Sequence, residues 1–198
     1  MKETIGVITI GQAPRLDFTA DLRTILSDQA DVIEQGVLDG LSMDEIHALS
    51  PSPGNGETLL VSRLYNGEQV MLSKQKILPR IELIIHQMNE TPIKMIILAC
   101  TGEFPAFPSR VPVLYPDLIL THTVKGLLHE ARDVDVVMPK EEQAAASAKK
   151  WNRLGLNVHP MICSPYEYTT SNMLMLLKIT PEPRQSSLSL IAWVTLQQ

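Results

Sequence analysis

The sequence predicts an α/β protein built on mostly parallel sheets, and three observations carry that expectation. Short β-branched apolar runs alternate with stretches of helical period, the order of repeated strand–helix–strand units. The runs Ile5–Ile10 and Met95–Ala99 are apolar at nearly every position, as strands covered on both faces of a parallel sheet must be. Glycine or proline then punctuates the run ends, at Gly11, Gly36, Gly40, Gly102 and Pro139.

Taken in order, Ile5–Ile10 reads as a first buried strand. It lacks the small-residue cleavage site of a signal peptide. Asp17–Leu26 follows as a helix with Phe18, Leu22, Ile25 and Leu26 on one side, and Asp31–Val37 as a second strand. Ser42-Met43-Asp44-Glu45 has the spacing of a capping box, and Pro51 and Pro53 forbid a long helix after it. Thr58–Leu64 and Gln69–Leu72 flank Asn66-Gly67, a strong local hairpin signal. Lys74–Asn89 carries a stripe of Ile77, Leu78, Ile81, Ile84, Ile85 and Met88, with Pro79 expected to bend the helix or delay its start. The strand Met95–Ala99 stops at Cys100-Thr101-Gly102. A Pro-rich stretch over 105–116, with an extended piece at Val111–Tyr115, is the expected hinge between two lobes.

In the second half, Asp117 is placed to cap a helix reaching His129, and Val134–Met138 reads as a strand. Pro139 opens a helix over Glu141–Leu154, and Asn157–Cys163 is the next strand. Beyond Tyr166 the periodicity fades. Thr169–Leu177 is weakly helical, and Pro181 and Pro183 end it.

Composition narrows the function classes. A chain of 198 residues with 44% hydrophobic and 20% charged residues forms a folded core in one large or two small domains. A formal net charge of −5 argues against a nucleic-acid partner. No run of about eighteen apolar residues offers a membrane span. Two cysteines without a C-x-x-C pattern suit a reduced, cytoplasmic protein, and the five histidines lack metal-site spacing.

Ligands of open parallel sheets bind beyond the carboxyl ends of the strands. Three segments lie there: Gly11–Arg15, Cys100–Glu103 and Cys163–Tyr166. The first offers amides at a glycine turn before a helix, with Arg15 as a carboxylate clamp; the alternative is a plain turn with a surface arginine. Cys100 follows a buried strand, and the amides and hydroxyl of Thr101 and Gly102 are placed to favour its thiolate; the alternative is a small buried hydrophobe. Cys163, with Ser164 and Tyr166, is a weaker copy of that arrangement. Lys74, opening a helix after the hairpin, is read either as a ligand contact or as a solvated surface lysine.

Taken together, Thr9-Ile10-Gly11-Gln12-Ala13-Pro14-Arg15, Gly40-Leu41-Ser42, Ser73-Lys74-Gln75-Lys76, Ala99-Cys100-Thr101-Gly102-Glu103-Phe104 and Pro139-Lys140-Glu141-Glu142-Gln143 resemble the AroM family. That family is similar to the aspartate/glutamate/hydantoin racemase superfamily. The resemblance implies two flavodoxin-like lobes, 1–115 with the hairpin inserted and 116–198, and an active cleft between them. It implies cofactor-independent acid–base chemistry on a small carboxylate or amino-acid-like ligand, with no metal. Cys100 would be one of two paired acid/base cysteines. Thr101 and Gly102 would bind the carboxylate, Gln12 and Arg15 would orient the ligand, and Gly11, Lys74, Ser164 and Tyr166 would line it. The family carries no assigned reaction. A non-enzymatic metabolite-binding or regulatory protein linked to aromatic amino-acid metabolism is the alternative, and a homodimer is left open.

The family pattern also expects a late strand ending in Asp-Cys-Met-Gly-Tyr, which would bring the second cysteine. The chain has Ile191-Ala192-Trp193-Val194-Thr195 instead. The codons GAT TGC ATG GGT TAC ACN, read one base later, encode Ile-Ala-Trp-Val-Thr. The expectation is therefore a shifted reading frame after about residue 166 and an incomplete second lobe.

Overall fold

The computed structural model describes residues 2–128, 133–138 and 140–163, and the backbone of 187–188. The described residues form two compact units, the first ending at Asp117 and the second beginning at Leu118.

The two apolar runs Ile5–Ile10 and Met95–Ala99 supply the inner strands of the first unit's sheet. β1 (Glu3–Thr9) pairs in parallel with β2 (Ala30–Gly36) on one side and β5 (Met95–Ala99) on the other. A short β6 (Val113–Leu114) extends the sheet beyond β5, giving the order β2-β1-β5-β6. Counting parallel strands alone, that order is 2-1-3-4, the start of the flavodoxin-like order 2-1-3-4-5.

The hairpin forms where Asn66-Gly67 directed it. β3 (Leu59–Arg63) and β4 (Gln69–Ser73) pair antiparallel as a separate two-stranded sheet, with Gly67 at φ +88 in the turn. A left-handed residue is needed there, and glycine adopts that conformation without a Cβ clash. The inward-facing Leu60, Val70 and Leu72 join the core with Ile8, Leu98 and the buried stripe of α3 (Lys74–Asn89). Pro79 sits inside α3 and does not delay its start, which Ser73 fixes by accepting a hydrogen bond from the Lys76 amide. The capping box is also present: Ser42 and Glu45 exchange hydrogen bonds at the head of α2 (Met43–Ala48).

One expectation holds only in part in this unit. α1 (Leu16–Leu26) turns Leu22 and Leu26 of the expected stripe inward but leaves Ile25 76% exposed. Its inner line runs through buried Thr19 and half-buried Leu22 and Leu26. At 3.6 residues per turn Ile25 stands about 120° away from Thr19.

In the second unit, β7 (Asp133–Met138) pairs in parallel with β8 (Asn157–Ile162) and with a two-residue β9 (Ser187–Leu188), in the order β8-β7-β9. α4 (Pro116–Leu128) and α5 (Ala144–Asn152) pack Val124, Leu128 and Trp151 against Val134, Val136 and Met138. A 3₁₀ turn at Glu141–Gln143 precedes α5, where a continuous helix was expected. Pro116 rather than Asp117 opens α4, so Asp117 stands in its first turn and not at its cap. Proline suits that first position because the amide it lacks would have no helical partner. His129, Pro139, the side chain of Phe18 and the weak helix expected over 169–177 lie outside the described residues, as does the reading-frame segment 191–195.

Candidate active site

β1 and β5 are neighbours at the point where the strand order reverses. The crevice outside the carboxyl ends of two such strands is the usual ligand site of this architecture. Thr9 lies beside Ala99 in the register, so the turns Gly11–Arg15 and Cys100–Glu103 leave the sheet side by side.

The turn after β5 is built around its cysteine. Cys100 is half-buried and packs against the core, and its own amide donates to Leu98 O at 2.7 Å. The Gly102 amide lies 3.3 Å from Cys100 Sγ, a donor aimed at sulfur that favours thiolate over thiol. A methyl group on Gly102 would come within 2.9 Å of Leu60 Cδ2, so the Leu60 side chain packs closely over this turn. From α3, Lys74 Nζ donates to Glu103 O at 2.9 Å. An ammonium carries three donors, and no carboxylate among the described residues pairs with this one. The first turn of α3 contains no acidic residue to offset it.

The turn after β1 differs from expectation. Its amides were expected to be open to an anion. Instead Ala13 N donates to Asp39 Oδ1 and Arg15 N to Glu34 Oε2, both at 2.9 Å, while Gly11 N reaches Thr9 Oγ1 at 3.3 Å. The protein's own carboxylates occupy these donors, because β2 and the turn after it run alongside. Glu34 is further held by Arg23 at 2.8 Å, with its side chain only 5% exposed. Asp39 also takes the Gly36 amide at 2.7 Å.

The Gln12 side chain turns toward the hairpin, where its Oε1 accepts from Tyr65 N at 2.8 Å. The Tyr65 hydroxyl donates to the Ala13 carbonyl. Its side chain is largely exposed, but desolvation at the hydroxyl, then the nearby Asp39 carboxylate, hold the phenol above its ordinary pKa, so it remains a donor.

The structure thus gathers Cys100, Thr101, Gly102 and Lys74 at one turn, with Gly11, Gln12 and Arg15 at the adjoining strand end. Cys163 belongs to the other unit, where its amide donates to Met138 O at 2.9 Å. No disulfide joins the two cysteines. Ser164 and Tyr166 lie outside the described residues. A cavity of about 240 Å³ between β2 and α3, lined by Gln35, Asp39, Arg80, Ile84 and Gln87, contains none of the candidate residues. Asp39, Leu60 and Tyr65 were not foreseen. Only Tyr65 carried a signal, its place beside the Asn-Gly turn. Among the described residues no group of three or more His, Cys, Asp or Glu side chains gathers as a metal site. No described helix is long and apolar enough to cross a membrane.

Fold and site together define an α/β protein of mostly parallel sheets with a cysteine at the switch point of its first sheet. The chain belongs to the AroM family, whose sequence model, described as AroM protein, matches residues 5–178. That match ends at residue 178, before the segment 191–195. The comparisons with curated proteins and with solved structures returned no match.

Proposed function

We propose that this AroM-family protein exchanges the proton beside the carboxylate of a small acid at the carboxyl ends of β1 and β5. The observation that carries the reading is the Gly102 amide directed at Cys100 Sγ. In the proposed step the Cys100 thiolate takes the proton, so the C–H bond breaks and an S–H bond forms. The electron pair is left on the carboxylate-stabilised carbon and returns to bond the proton again. Lys74 supplies positive charge next to this turn, and Thr101 and Gly102 supply the remaining contacts. The amides of Ala13 and Arg15 already hold protein carboxylates, so Gln12 and Arg15 act in this reading through their side chains.

Racemisation by two bases needs an acid on each face of the carbon. With Cys100 as the one base of this reading, the expected chemistry is one-base exchange that retains configuration. The proposed setting is the reducing cytoplasm, where both thiols persist.

The test is deuterium incorporation from heavy water into a panel of amino and hydroxy acids, followed by mass spectrometry for the wild type and Cys100→Ser. Incorporation that the variant loses supports the reading. Ligand binding without incorporation in either protein assigns the site to a sensor instead. Incorporation that survives in Cys100→Ser removes the cysteine from the chemistry.

A further inference from the structure

We propose that the β3–β4 hairpin is the positioning element of this site, holding the turns after β1 and β5 in one fixed relation, with Tyr65 as its positioning residue. The inference rests on the reading that these two turns form the ligand site.

The hairpin contributes no strand to the parallel sheet. It pairs only with itself, so the sheet order is complete without it. It is nonetheless anchored, because Leu60, Leu64, Val70 and Leu72 are buried in the core of the first unit. From that base β3 meets both turns. Leu60 fills the space over Gly102, where a methyl group would stand 2.9 Å from its Cδ2. At the far end of β3, Ser62 Oγ and Arg63 O press on Gly11, at 2.5 and 2.7 Å from where a methyl group would lie.

The two ends of the hairpin repeat the pattern with hydrogen bonds. At the tip, Tyr65 holds Gln12 through its amide, at 2.8 Å, and Ala13 through its hydroxyl. At the exit, Lys74 directly follows β4 and reaches the Glu103 carbonyl at 2.9 Å. Each turn is therefore held twice, once by packing from β3 and once by a hydrogen-bonding residue, Tyr65 at the hairpin tip or Lys74 at the first position of α3 directly after β4. The phenol keeps its proton near Asp39, so the tip contact persists through the neutral range.

Tyr65→Phe removes the hydroxyl and little else. One hydrogen bond contributes about 0.5–1.5 kcal/mol, equivalent to roughly a 2- to 10-fold effect. Hydrogen exchange of the peptide covering 10–16 should accelerate by that factor in the variant, while peptides from β7 and β8 exchange as in the wild type. Succinate, used as a carboxylate probe, should protect Cys100 from iodoacetamide only at a concentration higher by the same factor. The thermal midpoint should fall by no more than about 2–4 °C, and the pH profile of alkylation without succinate should stay put, which separates positioning from a general loss of stability. Gln12→Leu removes the neighbouring contact and should likewise accelerate exchange of the peptide covering 10–16.

Unchanged exchange at 10–16 in both variants overturns the hairpin's role. Succinate protecting neither the wild type nor the variants sinks the carboxylate reading instead, and the exchange rates still decide the hairpin.

Discussion

Replacing Gly36 by alanine should be among the most damaging small substitutions in the first unit. The added methyl group would lie 2.6 Å from Ala13 N, 2.6 Å from Gly11 O and 2.6 Å from Asp39 Oδ1. Two of these are backbone atoms, and none can retreat alone. Gly11 O accepts from Leu38 N at 3.1 Å, and Asp39 clamps both the Ala13 and the Gly36 amides at 2.9 and 2.7 Å. Relief requires moving the whole turn after β1. Overpacking costs about 1–3 kcal/mol, and losing a hydrogen bond to a charged group about 1.5–3 kcal/mol. The sum is about 2.5–6 kcal/mol, which for a protein of this size lowers the unfolding midpoint by roughly 5–25 °C. Urea unfolding followed by hydrogen exchange in peptides of the first unit measures it, because two units need not unfold together. Gly6→Ala is the control. There the nearest atom is Met88 Sδ at 2.7 Å, part of a flexible side chain that can turn aside, so the loss should stay near ~1 kcal/mol. A Gly36→Ala protein within about 1 kcal/mol of the wild type would refute the account of this turn.

Other outcomes follow from the same contacts. Ser42→Ala should cost about 1 kcal/mol through the lost cap on α2, read by thermal unfolding. The Ser42 backbone amide, then its hydroxyl, hold the Glu45 carboxyl below its ordinary 4.5, so this contribution is present above that value. It is lost as pH falls through the lowered one, and acid titration of stability should show a smaller loss in the variant. Ser62 Oγ is buried with no hydrogen-bond partner among the described residues, so Ser62→Ala should be neutral or stabilising by up to about 1 kcal/mol. A clear destabilisation in urea would show that the hydroxyl has a partner in solution. The reading-frame account of residues 191–195 predicts a single-base difference upstream in the gene, and resequencing that confirms the frame as written ends it.

Much of the local structure could be read from residue patterns because its causes are local. The capping box needs only Ser42 and Glu45, the hairpin turn only Asn66-Gly67, and α3 only its apolar spacing. The strand ends bearing Gly11 and Cys100 were found the same way, from where apolar runs stop. What escaped was set by distant residues. The amides of Ala13 and Arg15 looked open until β2 brought Asp39 and Glu34 alongside. Tyr65 reads as an ordinary hairpin-tip residue until the fold brings it 52 positions back to Ala13. α1 misled because its inner line passes through Thr19, a residue no apolar stripe would select.

The central claim is that Cys100 is a functional thiolate at a carboxylate site. The direct measurement is the iodoacetamide rate of Cys100 and of Cys163 in the full chain, by peptide mass spectrometry, from about pH 5 to about pH 9, with and without small carboxylic acids. The account predicts that Cys100 stays reactive well below the ordinary thiol range near pH 8.5, and that at least one carboxylic acid protects it and leaves Cys163 unaffected. A Cys100 that reacts only as an ordinary thiol, and that no carboxylic acid shields, would contradict it.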